Sequence, residues 1–172
     1  MKNLNFFLFF IIMLISTQVK SEINVAFIEM DKLINSSKVG ESLIKQLNVI
    51  DSQNRKNFDE IKKKLSLEKK KITSQKNVLS EEDYNKKVLS LNKEFKDYKE
   101  NGKKEIQLLE KKRVIAMKKI LEQINLILSK YSEEKQLTFI IDQKNIVIGE
   151  TGLNITGEIL KKLNSRLKKI SL

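Results

Sequence analysis

The chain has no cysteine, histidine, proline or tryptophan among its 172 residues. Without cysteine it can form no disulfide. Without cysteine and histidine it lacks the commonest zinc ligands, the easiest nucleophile and the usual general base. The absence of proline removes the residue that most often interrupts helices. Together these absences favour a protein without enzymatic activity, built from long helices and stabilised by packing and assembly.

Residues 1–21 follow the plan of a secretory signal peptide. A short positively charged segment at Lys2 precedes an apolar run from Leu4 to Ile15, and a small-residue cleavage region ends at Ser21. The alternative is an uncleaved anchor, but as a helix this run would span only about 18 Å of a hydrocarbon core of about 30 Å. We therefore expect export and cleavage after about Ser21.

Positive charge is concentrated in the middle of the chain. The formal net charge is +12, and removal of the two lysines in the signal peptide leaves +10. Residues 39–133 hold 23 Lys or Arg against 15 Asp or Glu, a net charge of +8. Such a field favours acidic partners. The competing interpretation is codon drift in an AT-rich genome, since nearly all the cations are lysine and the chain is also rich in Asn and Ile.

The apolar residues of this middle region are spaced symmetrically on either side of Ser80. Their numbers sum to 159 or 160 in the pairs Ile72 with Val88, Leu65 with Phe95, Ile61 with Tyr98, Ile50 with Leu109, and Leu43 with Met117. Each half alternates steps of three and four residues, as coiled-coil seams do. The pattern predicts an antiparallel helical hairpin arm over residues 39–133, with its tip near residues 76–83.

Both predicted helices interrupt the spacing of three and four residues, at the same distance from the tip. Each takes two consecutive steps of four, through Ile50, Asn54 and Phe58 and through Tyr98, Gly102 and Ile106. A step inserted in this way unwinds the supercoil locally. The register sets Phe58 opposite Gly102. Gly102 is either a packing site for the ring or a hinge, since glycine inside a helix costs about 1 kcal/mol relative to alanine.

Residues 22–38 and 134–172 predict a small body of short strands and helices. We expect strands at Ile23 to Ile28, Leu137 to Asp142 and Asn145 to Ile148, with a turn of helix from Asp31 to Asn35. A final helix should begin at an N-cap of Asn154 or Thr156 and carry the apolar face Ile155, Ile159, Leu160, Leu163, Leu167 and Ile170. The predicted fold class is α+β, a small β body that carries a long antiparallel α-helical coiled-coil arm.

A body of three short strands and one helix has a very small core. Cores of this size usually need a covalent cross-link or a partner for stability, and disulfide cross-links are excluded here. Both strands that flank the hairpin are apolar at nearly every position, which predicts that both faces are covered. We therefore expect self-association through a candidate oligomer core of Val25, Phe27, Phe139, Ile141, Ile146 and Ile148.

This arrangement resembles the Skp or OmpH-like family of periplasmic chaperones for outer-membrane proteins. The resemblance rests on two segments. The first follows the signal peptide and reads Ile23-Asn24-Val25-Ala26-Phe27-Ile28-Glu29-Met30. The second is C-terminal and comprises Phe139-Ile140-Ile141-Asp142, Asn154-Ile155-Thr156 and Ile159-Leu160. The family usually has Asp where Asn154 stands and often a Tyr near Ile148. The resemblance implies a jellyfish-like homotrimer in the periplasm, whose helical arms hold unfolded outer-membrane proteins without ATP.

The arm supplies the candidate contacts for such clients, or for lipopolysaccharide or anionic lipid. These are Lys62, Lys63, Lys64, Lys69, Lys70, Lys71, Lys86, Lys87, Lys103 and Lys104, with the apolar Leu67 and Leu79. The alternative for the lysines is a solvated coiled-coil face with ordinary Glu and Lys pairing.

The carboxylates Glu81, Glu82 and Asp83 follow Ser80 and are typical of a capped helix start rather than of catalysis. No glycine-rich phosphate loop is present, so we expect no cofactor.

Two other functions compete with a chaperone. A structural or tethering coiled coil of the cell envelope would share the arms and the oligomeric base but would bind one folded partner. Nucleic-acid binding is disfavoured by export. It is also disfavoured because only Arg55, Arg113 and Arg166 could make the bidentate contacts that arginine makes to bases.

Overall fold

The computed structural model describes residues 23–172, so the predicted signal peptide lies outside the described residues. The elements are β1 (Val25–Ile28), α1 (Met30–Asn35), α2 (Lys38–Ser74), α3 (Glu81–Lys135), β2 (Phe139–Asp142) and α4 (Thr156–Arg166). Short 3-10 turns occupy Gln143–Asn145 and Thr151–Leu153. This is the predicted α+β fold with a helical hairpin. Within residues 23–172, no helix is both long and apolar enough to cross a membrane.

Helices α2 and α3 form the predicted hairpin in the predicted register. A Cβ atom placed on Gly102 would lie 3.7 Å from the ring of Phe58, which confirms that these two positions face each other. At the tip, the Ser80 hydroxyl accepts a hydrogen bond from the backbone N–H of Asp83 at 3.1 Å and donates one to its carboxylate at 2.7 Å. Ser80 is therefore the N-cap of α3, as predicted.

Helix α3 is much longer than α2, and its extra length builds the body. The two helices have 55 and 37 residues. In the mirror register Lys38 is level with residue 121 or 122, so the rest of α3 extends beyond the start of α2 and contacts α4 and β2. One cluster of 13 buried residues results, comprising Ala26, Ile28, Leu33, Val39, Leu43, Ala116, Ile120, Ile124, Ile127, Tyr131, Ile155, Ile159 and Leu163.

The residues that make up this cluster differ from the predicted body core. We expected a body core made by three strands and one helix alone. Seven of its 13 buried residues instead come from residues 39–133, the predicted arm. The base of the arm is therefore part of the body core, and the small size of the strands is no argument by itself that the body needs a partner.

A tight corner joins α1 to α2. Ser37 is fully buried, and its hydroxyl donates a hydrogen bond to the carbonyl of Ile34 at 2.8 Å and accepts one from the N–H of Gly40 at 3.0 Å. A Cβ atom on Gly40 would lie only 1.9 Å from the carbonyl oxygen of Ile34. Glycine is required here because the end of α1 passes directly against the first turn of α2.

Strands β1 and β2 form a two-stranded parallel sheet, and the hairpin is their crossover connection. The register pairs Val25 with Phe139 and Ile28 with Asp142. Both strands are shorter than predicted. The face that carries Ala26 packs on the helices.

The predicted strand from Asn145 to Ile148 is wrong. The Asp142 carboxylate accepts a hydrogen bond from the backbone N–H of Lys144 at 3.2 Å, and the chain turns there into a 3-10 helix. A hairpin back along β2 would need a two-residue turn with positive φ, which Gln143 and Lys144 do not favour.

The final helix α4 ends at Arg166, earlier than its predicted apolar face. Leu167 and Ile170 lie beyond the helix, but both still pack against the core cluster. Neither predicted cap is the N-cap of α4, which is Ile155 and makes no side-chain cap hydrogen bond. The Asn154 side-chain oxygen instead accepts a hydrogen bond from the backbone N–H of Thr156 at 2.9 Å, at the start of the helix. Thr156 itself is the first helical residue.

Candidate functional site

The N-terminal segment around β1 and the C-terminal segment before α4, which carry the family resemblance, are joined by hydrogen bonds. The Glu29 carboxylate accepts hydrogen bonds from the side-chain amide of Asn154 at 2.9 Å and from the ammonium of Lys32 at 3.2 Å. The backbone N–H of Glu29 donates to the hydroxyl of Thr156 at 2.9 Å. The hydrogen bond from Asn154, followed by that from Lys32, lowers the pKa of Glu29. Both motifs are recognisable in the sequence, but the contact between them is not.

A second junction ties the end of α3 to α4. The hydroxyl of Tyr131 donates a hydrogen bond to the Glu158 carboxylate at 3.0 Å, and the ammonium of Lys162 lies 5.7 Å from the ring centroid. Burial, reinforced by Glu158, raises the pKa of Tyr131. Sequence reasoning missed this contact, because residues 27 positions apart carried no shared pattern.

The sheet face opposite the helices is apolar and largely open in the single chain. By the strand register it carries Val25, Phe27, Phe139 and Ile141. Phe139 is 57% exposed, whereas Phe27 is only 7% exposed. The segment after β2 covers Phe27, since a Cβ atom on Gly149 would lie 3.5 Å from its ring.

The remaining predicted oligomer residues follow β2 in the irregular segment. Ile146 is half-buried, while Ile148 is 91% exposed and the neighbouring Val147 is fully exposed. Of the six predicted oligomer residues, Phe27 is thus buried by the chain's own residues. Phe139, Ile141 and Ile148 are exposed, and Val25 and Ile146 are intermediate. The exposed members and Val147 are apolar side chains of the body that a single chain leaves uncovered.

The predicted contact lysines are distributed along the outer part of the arm. All of them are exposed except Lys87, which is half-buried and donates to the side-chain oxygen of Gln75 at 3.3 Å. Lys86 pairs with Glu82 at 3.7 Å. In the described part of the chain, the other nine of these ten lysines form no ion pair. The arm therefore presents ammonium groups that no ion pair among the described residues neutralises.

Apolar side chains accompany these lysines near the tip. Val78 is 84% exposed in the turn, and Leu67 and Leu89 are exposed on the two helices. Leu79, the second predicted apolar contact, is half-buried. The tip region therefore combines exposed apolar and cationic groups.

A cleft of about 650 Å³ opens on one side of the seam halfway along the arm. The rings of Phe58 and Tyr98 meet edge to face at 5.7 Å on its wall. The side-chain amide of Asn54 donates to the carboxylate of Glu105 across the seam at 3.4 Å. Sequence reasoning predicted the register here but not the cleft.

Among residues 23–172 no group of acidic residues is arranged to hold a metal ion.

These features define a class of protein with a small α+β body and one long coiled-coil arm. The family model described as "Outer membrane protein (OmpH-like)" matches residues 24–163, and the chain belongs to this OmpH-like family. Among curated proteins the search finds no match.

A solved structure has the same fold. It is an OmpH-like protein from Caulobacter crescentus CB15, described as a candidate outer membrane chaperone. The TM-score is 0.83 at 15% sequence identity, and the alignment covers 88% of this chain and 90% of that chain. At this identity the likeness shows the fold alone.

Proposed function

We propose that this protein is an ATP-independent holdase chaperone that binds unfolded outer-membrane proteins between basic helical arms and prevents their aggregation. The observation that carries the proposal is on the arm, where nine of the ten predicted lysines form no ion pair among residues 23–172 and the apolar Leu67, Val78 and Leu89 are exposed. Such lysines attract acidic chains from a distance, and exposed apolar groups hold an unfolded chain weakly. Membership of the OmpH-like family supports a chaperone role.

We also propose that the chain works as a homo-oligomer, with a trimer as the form implied by the family resemblance. The apolar surface that Phe139, Ile141, Val147 and Ile148 expose supports this, because burying exposed apolar surface of a folded body favours association. The edge of β2 away from β1 has no neighbouring strand among residues 23–172. It offers unpaired backbone groups beside that surface.

The same proposal places the mature protein in the periplasm after removal of residues 1–21. Lipopolysaccharide or anionic lipid is a second proposed ligand class for the arm lysines, since both are polyanionic. The proposed activity requires no enzyme chemistry. Mass spectrometry of the exported protein checks the cleavage site, and a mature chain that begins at Glu22 is the expected result.

The direct test is light scattering from an unfolded outer-membrane barrel protein diluted out of urea, with and without residues 22–172. The triple variant Lys62→Gln, Lys63→Gln, Lys64→Gln removes three arm charges. The matched control removes three exposed body charges at Lys161, Lys168 and Lys169. We expect the arm variant to suppress aggregation less well than the control at low salt. The difference should disappear near 1 M salt, where the screening length is about 3 Å.

Two other outcomes are informative. Equal suppression by both triple variants at every salt concentration would leave a chaperone but remove the role of the arm lysines. Absence of suppression at several-fold excess of the assembled oligomer would favour the structural coiled coil instead.

The oligomer is tested separately by analytical ultracentrifugation. The double variant Phe139→Asp, Ile148→Asp should shift the protein toward monomer, because each aspartate places a charge in the proposed interface. Val49→Asp is the control, since Val49 is also exposed and apolar but lies on the arm. A wild-type chain that stays monomeric at tens of micromolar would contradict the proposal.

A further inference from the structure

Beyond α4 the chain continues as a short segment that lies against the base of the arm. We call residues 167–172 the C-terminal segment, and they have no regular secondary structure. Two hydrogen bonds at the end of α4 fix where it begins. The side-chain oxygen of Asn164 accepts from the backbone N–H of Lys38, the first residue of α2, at 2.8 Å. The Arg166 guanidinium donates to the side-chain oxygen of Gln123 on α3 at 3.0 Å. The segment therefore starts beside both helices of the hairpin.

Apolar side chains and one backbone contact hold the C-terminal segment in place. We call the 13 buried residues described above the base cluster. Leu167, Ile170 and Leu172 pack against this cluster and are half-buried, while the residues between them are exposed. The side-chain amide of Gln46 on α2 donates to the backbone carbonyl of Ile170 at 2.9 Å. Among the described residues, this is the only hydrogen bond that residues 168–172 form.

The contact with Gln46 does not depend on which residue is bound, because every residue carries a backbone carbonyl. The other requirement is apolar side chains at the right spacing. Ile170 and Leu172 are two positions apart, with the exposed Ser171 between them. This is the alternation of an extended chain, and the strands of outer-membrane barrels carry apolar residues with the same period.

The side chain of Gln46 is oriented by its own helix. Its amide also donates to the backbone carbonyl of Ser42 at 3.2 Å, one turn earlier on α2. This contact does not involve the C-terminal segment, so the donor stays in place when the segment leaves. Leu43 lies on the same turn and is buried in the base cluster. The covered surface thus combines apolar side chains with a fixed hydrogen-bond donor, as peptide-binding surfaces do.

We propose that the C-terminal segment occupies a peptide-binding site at the base of the arm, and that an extended apolar stretch of an unfolded outer-membrane protein binds there by displacing it. The existence of the site follows from the contacts of Gln46 and Ile170, whereas the identity of its ligand rests on the proposed function. The family model matches through residue 163, so the segment lies beyond the matched residues.

The tether to α4 determines how strongly the segment competes. A segment attached directly beside its site has an effective concentration on the order of 1 mM. A peptide that binds the open site with a Kd of about 0.1 mM therefore shows an apparent Kd of about 1 mM while an equally good segment is present. Release of the segment should strengthen peptide binding by about tenfold.

Fluorescence anisotropy of a labelled peptide with the sequence of residues 167–172 tests the site in the chain of residues 22–172. Ile170→Asp places a charge against the base cluster and should release the segment. We expect this variant to bind the peptide about tenfold more tightly than wild type. The matched control is Ser171→Asp, which adds the same charge at an exposed neighbour and should bind as wild type does.

A second substitution tests the donor. Adding Gln46→Ala to Ile170→Asp should weaken peptide binding by about fivefold, because one hydrogen bond is lost. The site is wrong if the peptide binds wild type, Ile170→Asp and Ser171→Asp with the same affinity, or binds none of them.

The methyl resonances of Ile170 report displacement in the unaltered chain of residues 22–172. Addition of an unfolded outer-membrane barrel protein should move them to the positions they have in the free peptide. If aggregation is suppressed while these resonances stay unchanged, displacement by clients is wrong and the holdase stands. If aggregation is not suppressed, the proposed function fails, and the peptide assay alone decides whether the site exists.

Discussion

The base and the outer half of the hairpin share one seam but differ in what covers it. At the base, α1, β1 and α4 pack over the two helices, and residues such as Ile120 and Ile124 are fully buried. In the outer half only two helices meet, and the buried residues are Leu65, Ile72 and Leu91. A two-helix seam buries few side chains, because no third element packs over it. We infer that stability is concentrated at the base, while the outer half keeps its surface exposed.

The largest expected difference comes from glycine substitutions in helical positions of the body. Gly40→Ala should destabilise the protein by at least about 3 kcal/mol, because its Cβ would lie 1.9 Å from the backbone oxygen of Ile34. Backbone cannot move aside as a flexible side chain can. Chemical denaturation followed by circular dichroism measures the effect.

Gly157→Ala is the matched control in α4. Nothing lies within 4 Å of a Cβ at Gly157, so alanine should be neutral or should stabilise by up to about 1 kcal/mol. Equal losses at both positions would mean that the α1–α2 corner is not as tight as the structure shows.

Cavity-forming substitutions compare the two cores directly. Ile120→Ala removes a fully buried side chain from the base and should destabilise it by about 4 kcal/mol. Leu91→Ala removes a buried residue from the smaller outer cluster, and about 2 kcal/mol is expected because water can enter the vacated space between only two helices. Urea unfolding of both variants gives the comparison. A larger loss for Leu91→Ala would reverse our assignment of stability to the base.

The hairpin could be predicted in detail because its determinants are local and periodic. The facing of Phe58 and Gly102 and the cap at Ser80 followed from residue spacing alone. Spacing could not show the cleft beside Phe58, or that Ile106 at a seam position is 72% exposed. Whether Ile106 is buried depends on how closely two helices approach, and the apolar pattern does not encode that distance.

The body was harder to predict because its contacts join distant parts of the chain. Glu29 and Asn154 lie 125 positions apart, and neither residue indicates the other. The predicted strand from Asn145 to Ile148 had suitable apolar residues, but local turn chemistry after Asp142 prevented the pairing. The candidate oligomer and client residues remain predictions, since the partners that would cover them are separate molecules.

Acid should weaken the base through Glu29. The pKa of Glu29 is lowered in the folded chain, so its carboxylate contributes stability above the unfolded pKa of about 4.3. That contribution is lost as the pH falls through the lower folded pKa. Between pH 6 and pH 3, the melting temperature of wild type should therefore fall more than that of Glu29→Gln. An equal decrease in both proteins would show that the junction with Asn154 contributes nothing to the pH dependence.

The smallest effect is expected at the tip, where a change should stay local. Ser80→Ala removes the hydrogen bond to the N–H of Asp83 and should destabilise the first turn of α3 by about 1 kcal/mol. Because the tip lies far from the base cluster, hydrogen exchange should quicken by about fivefold near Tyr84 and stay unchanged at Ile120. Ser90→Ala is the control, since the Ser90 hydroxyl bonds only the exposed Glu94 side chain. Faster exchange at Ile120 after Ser80→Ala would show that tip and base unfold as one unit, and the contrast between the two halves would fail.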